Sequence, residues 1–149
     1  MPLEGAPPTI AVVFGTYNRR PFLQHAIESF RVACGSLSRV FLVGDGGSTD
    51  GSREWMAGQP DVLMLEGGLD GAVAAFNVGF AAAVELESPF VVTQNDENEA
   101  KFPPPIFERA VEILRAEPAV GGVAFEMDTR RVGWVCEEWA GIPYGNTCC

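Results

Sequence analysis

Short apolar runs alternate with helical patterns along this chain. Thr9–Phe14 (TIAVVF) is continuously apolar and β-branched, as a strand buried on both faces of a parallel sheet is. Pro21 then opens a helix, where its missing N–H removes nothing, and Phe22, Ala26, Ile27 and Phe30 share one face. Val40–Val43 (VFLV) predicts a second strand, followed by a short helix near Ser52–Met56. Asp61–Leu65 predicts a third strand and the Ala-rich Ala72–Leu86 a helix. Gly79 inside that helix costs about 1 kcal/mol relative to Ala, so it implies close packing or a nearby ligand. Phe90–Thr93 (FVVT) predicts a fourth strand. A helix follows, with Ile106, Phe107, Ala110, Val111 and Leu114 on one face and Pro118 beyond its end. Val120–Phe125 (VGGVAF) predicts a fifth strand, and the pattern then fades into an irregular tail.

Such alternation predicts an α/β fold: a three-layer α/β/α sandwich around a mostly parallel sheet. The 149 residues suit one domain, with a core over about 9–126 and a tail over 127–149. Ligands of these sheets bind at the carboxyl ends of the strands. The polar turns stand there: Gly15-Thr16-Tyr17-Asn18-Arg19, then Asp45-Gly46-Gly47-Ser48-Thr49-Asp50-Gly51, then Asn95-Asp96-Glu97-Asn98.

Charge narrows the chemistry. Ten Lys and Arg face twenty Asp and Glu, a formal charge of −10. Such a chain repels phosphate backbones, which argues against nucleic acid as a partner. A diphosphate ligand would need a cation between itself and the protein, and a divalent metal held by carboxylates supplies one. Tyr17 can pack beside a base, and Asp45 can accept a hydrogen bond from a base or ribose. Gly46 lets backbone approach closely. Asp96 and its neighbours Glu97 and Asn98 offer the oxygen ligands that suit Mn²⁺ or Mg²⁺. Thr49 and Asp50 read as caps of the short helix. Cys34, Cys136, Cys148 and Cys149 have no disulfide or zinc spacing, so reduced thiols and a cytoplasmic location are expected. No signal peptide or membrane-spanning run is evident.

These residues together resemble the inverting family 2 glycosyltransferases of GT-A fold. The likeness runs over about residues 9–126. It rests on Thr16-Tyr17-Asn18-Arg19, on Asp45-Gly46-Gly47-Ser48-Thr49-Asp50-Gly51, on Gly71 leading to Asn77-Val78-Gly79, and on Asn95-Asp96-Glu97-Asn98 before Pro103. The resemblance implies transfer of a sugar from a nucleotide-diphosphate sugar to an acceptor hydroxyl. It implies nucleotide contacts by Thr16, Tyr17, Asn18, Asp45, Gly46, Gly71 and Asn77, and a metal on Asp96 with Glu97 or Asn98, depending on the register. The second aspartate of the family's turn is Gly46 here, and its arginine before Asn-x-Gly is Phe76. Family members continue well past the fifth strand, where the catalytic base lies. Glu137 or Glu138 could serve here. The alternative is an inactive or partial nucleotide-sugar-binding domain that needs a partner subunit or a second copy. A dinucleotide oxidoreductase is disfavoured, since no Gly-x-Gly-x-x-Gly follows the first strand, and a phosphate loop with Gly-Lys-Ser/Thr is absent.

Overall fold

The structure, a computed structural model, describes residues 6–66, 71–96, 106–124, 136–139 and 142–145. They fall into two compact units, Met1–Glu108 and Arg109–Cys149.

The first unit is built on four strands: β1 (Ile10–Thr16), β2 (Arg39–Asp45), β3 (Val62–Leu65) and β4 (Phe90–Asn95). They form one all-parallel sheet in the order β3-β2-β1-β4. The helices between them are α1 (Arg20–Ala33), α2 (Ser52–Ala57) and α3 (Ala72–Glu85). Each parallel pair needs a crossover, and helices supply it. β1 and β2 are the central strands and are buried almost throughout.

The pleat sends alternate side chains to opposite faces of the sheet. One face carries large rings. Phe14 of β1 meets Phe30 of α1 edge-to-face at 5.5 Å and lies 6.3 Å from Phe41 of β2. Phe30 stacks at 5.6 Å on Phe107, at the start of α4 (Ile106–Ala116). In α1 the buried positions Leu23, Ala26, Ile27, Phe30 and Ala33 follow the helical repeat. Burying each of the larger ones contributes about 2 kcal/mol.

The opposite face is shallow. Ala11, Val13, Val40 and Leu42 cluster with Ala83 of α3. Only Ala75, Gly79 and Ala83 of α3 are buried, a stripe of small residues that seats the helix against backbone. A Cβ on Gly44 would lie 2.6 Å from the Ala75 carbonyl oxygen, and one on Gly79 would overlap the Val13 side chain. Close packing is therefore what Gly79 serves. With helices on both faces, the unit has the three-layer arrangement expected.

At the amino end of the sheet, Arg31 grips Asp61 with two bonds, 2.6 and 3.0 Å long. Burial pushes the Cys34 thiol up to about 11, which keeps it protonated and unreactive.

In the second unit, Ala110, Val111 and Ile113 of α4 are buried, so Ile113 replaces Leu114 in the expected stripe. Two expectations fail here. Val120–Phe125 is not a strand: residues 120–124 have no regular structure and Phe125 lies outside the described residues. The tandem Gly121-Gly122 explains it, because glycine carries the largest entropy cost of ordering and offers no side chain to pack. The tail is not wholly irregular either. β5 (Cys136–Trp139) and β6 (Ile142–Gly145) form an antiparallel pair with Trp139 in register with Ile142. No helix among the described residues is long and apolar enough to cross a membrane.

Candidate functional site

The turns after β1, β2 and β4 meet at the carboxyl edge of the sheet. Register brings this about: Thr16 pairs with Asp45 across β1 and β2, and Gly15 pairs with Asn95 across β1 and β4. The Gly46 amide donates to the Thr16 carbonyl at 2.9 Å, which carries the ladder one step past the strands.

The first two turns are then laced together by side chains. Asn18 sits at φ 52°, a left-handed conformation that asparagine tolerates better than most residues. Its amide donates to the Ser48 hydroxyl at 2.9 Å, and its side-chain oxygen accepts from the Thr49 amide at 2.7 Å. Thr49 is thus a clasp to the first turn and does not cap α2. Asp50 does serve as a cap, and of two helices. It accepts from the Arg20 amide at the head of α1 (2.8 Å), and from the Ser52 amide (3.1 Å) and hydroxyl (2.5 Å) at the head of α2. The Ser52 hydroxyl bond, then the Arg20 amide bond, hold its carboxyl below the usual carboxylate range.

Two buried carboxylates flank Thr16. Asp45 has no side-chain surface exposed. Its Oδ2 accepts from Arg53 Nη1 at 2.9 Å, from the Ser48 amide at 3.1 Å and from the Gly47 amide at 3.2 Å, while Oδ1 accepts from the Ser48 amide at 3.3 Å. Asp96 is held differently. Its Oδ2 accepts from the Thr16 hydroxyl at 2.8 Å, and its Oδ1 from Arg19 Nη1 at 3.3 Å. The Arg19 side chain is about half exposed, at 49%.

Tyr17 stands at the rim, 60% exposed. It lies against Gly46, where a Cβ would come within 3.2 Å of Tyr17 Cβ and 3.3 Å of its ring. An aspartate at 46, as in the resembled family, would crowd this tyrosine.

Thr16, Tyr17, Asn18, Asp45, Gly46 and Asp96 are therefore one cluster. Gly71 and Asn77 belong to α3: Gly71 heads the helix, and Asn77 lines a hollow of about 310 Å³ with Val73, Phe76, Phe80 and Thr93. None of the strand-end cluster lines that hollow. Glu138 is on β5, in the second unit, paired across the ladder with Pro143. Glu97 and Asn98 lie outside the described residues. Among the described residues no three His, Cys, Asp or Glu side chains gather as a metal site. Asp96 is the one described residue of the three expected as metal ligands.

Sequence reasoning passed over Arg53, the counter-ion of Asp45. Its signal was a basic residue in the first turn of α2, eight positions beyond Asp45 and folded back over the end of β2. Arg19 was noticed only as part of a motif. Its partner is 77 residues away, which no local pattern announces.

The chain matches no family model, and no curated protein matches it significantly.

Proposed function

We propose that this chain binds a nucleotide-diphosphate sugar at the carboxyl edge of its sheet and belongs to a glycosyltransferase of GT-A type that transfers with inversion. The observation that carries the reading is the Thr16–Asp96 hydrogen bond of 2.8 Å, with Asp45 in register opposite Thr16. It unites three strand-end turns, 80 residues apart at the extremes, into one polar cluster where open α/β sheets take ligands. Tyr17, exposed beside that cluster, offers a face for the base. The resemblance adds Gly71 and Asn77, on α3, as further nucleotide contacts.

In this proposal Asp96, with Glu97 or Asn98, holds Mn²⁺ or Mg²⁺. The cation neutralises charge on the leaving diphosphate. Thr16 fixes the orientation of Asp96. Arg19, displaced from Oδ1, is long enough to turn toward a phosphate.

One observation favours the alternative, a domain that binds a donor without turning it over or that acts with a partner subunit. The Asp45 carboxylate is occupied by its own turn and by Arg53. Calorimetry with nucleoside diphosphates, with Mn²⁺ and with a chelator, tests the reading. Binding at least about tenfold tighter with metal is expected, because a cation held at Asp96 offsets the repulsion between a diphosphate and so acidic a chain. Equal affinity in both conditions would remove the metal, and no binding in either would overturn the proposal. Donor hydrolysis separates the enzyme from the binding domain.

A further inference from the structure

We infer that the outer side of α3 and the open face of β4 beside it form a docking surface for a second copy of this chain; the inference stands apart from the donor reading. Among the described residues the helix layer on this side of the sheet is one element short. Strands stand about 4.8 Å apart and a helix with its side chains is about 10 Å across, so one helix covers about two strands. α3 rests on β1 and β2. Ala11 and Val13 of β1 belong to its cluster, and their register partners on β4 are Val91 and Thr93. Those two therefore share the α3 side of the sheet, and both are exposed. The hollow lined by Val73, Phe76, Asn77, Phe80 and Thr93 lies in the corner between helix and strand.

The outer side of α3 is apolar as well. A surface helix ordinarily keeps polar and charged residues there. From Ala72 to Val84 this helix carries no charged residue. Val73, Asn77, Phe80 and Val84 are exposed and spaced by four, three and four, so they form one line along the helix. Val73 and Val84 are 74% and 77% exposed, and Phe80 is 41% exposed. A helix that is apolar all round belongs in an interior. The alternation of three and four is also the seam spacing of helices that pair.

One surface thus needs a cover on its back, and the other needs a helix. A second copy brings both. About a two-fold axis, each α3 lies over the other copy's β4, and the same contact made twice covers all of these surfaces. Charge selects the same occupant. The chain carries −10, so two copies repel unless they meet where neither is charged. β4, from Phe90 to Asn95, has no charged residue either. An acidic or basic partner would find no counter-charge on these two segments. The strip is short, since the 14 residues of α3 span about 21 Å, so the dimer is of the small, transient class.

Analytical ultracentrifugation of the whole chain, from about 5 to about 500 μM, covers the range in which a small interface associates. A monomer–dimer equilibrium is expected. Salt should tighten it, because screening weakens the repulsion between copies and leaves an uncharged contact untouched. Val84→Glu and Val91→Glu stand at exposed positions, so each should keep a circular dichroism spectrum like the parent's. Each should weaken dimerisation at least about tenfold, because the two-fold buries the new carboxylate twice. Val32→Glu, at an exposed position of α1, should leave it unchanged. A wild type that stays monomeric throughout the range overturns the inference. So does a dimer that survives both Val84→Glu and Val91→Glu, or one that salt dissociates. A monomer that binds neutral phosphatidylcholine vesicles gives the face to lipid and overturns the second copy.

Discussion

Asp45 and Asp96 end the two strands that flank β1, and each carries an arginine, yet they are held in unlike ways. Asp45 is fastened by two backbone amides of its own turn and by Arg53, with no surface left. Asp96 is fastened by a buried side-chain hydroxyl at 2.8 Å and by a half-exposed arginine at 3.3 Å. Backbone amides cannot leave without the turn unfolding. The difference teaches that the β2 end is fixed by main chain, while the β4 end is held through side chains.

Substitutions can break this contrast. Asp45→Ala should have the largest effect on stability, lowering it by about 3 kcal/mol, because two amides and a guanidinium lose their acceptor together. Urea unfolding followed by circular dichroism measures it, and a loss well under 1 kcal/mol would erase the distinction. Asp96→Ala should lower stability by less, about 1.5 kcal/mol, since only the buried Thr16 hydroxyl loses its acceptor while half-exposed Arg19 stays in contact with water. The same variant should lose metal-dependent diphosphate binding, read by calorimetry. Parent-like affinity would remove Asp96 from the site.

The smallest effect sharpens the picture at Asp50. Its carboxyl is held below the usual range by the Ser52 hydroxyl and the Arg20 amide. A depressed folded value means that its contribution is present above the unfolded value, about 3.9, and is lost as pH falls through the folded one. Asp50→Asn should therefore shallow the fall in stability below about pH 4. Asp61 and Glu108 are lowered too: burial of Asp61 is outweighed by its bonds to Arg31, and Glu108 accepts from Ser36. Some acid sensitivity should thus remain, and an unaltered acid limb would show that the Asp50 caps are dispensable.

The four sheet strands were legible because each is a compact apolar run closed by polar turns; burial on both faces demands that composition of β1 and β2, while β3 and β4, at the sheet edges, are only partly buried. The rule that ligands meet strand ends then pointed to Thr16, Asp45 and Asp96 together. Val120–Phe125 shows where this reasoning stops. Its apolar letters resemble a strand, but Gly121 and Gly122 supply nothing to pack, and the segment has no regular structure. Cys136–Trp139 and Ile142–Gly145 erred the other way, since Glu137, Glu138 and Pro143 hide a ladder that depends on pairing and not on composition. Arg19 and Arg53 were hidden for a third reason. Ion pairing across a sheet edge is a property of the assembled turns, and a lone arginine reads as surface until its acid is found.

The stripe of Ala75, Gly79 and Ala83 sets a limit on change in this molecule. Where this helix passes Gly44 it rests main chain against main chain, with no side chain there to re-sort when one contact alters. A methyl gained at 79 strikes Val13, and one gained at 44 strikes the main chain of α3. With glycine already the smallest residue, no trimming elsewhere along the main chain makes room. Drift at these two positions is therefore one-way barred, and α3 forms a stiff backstop.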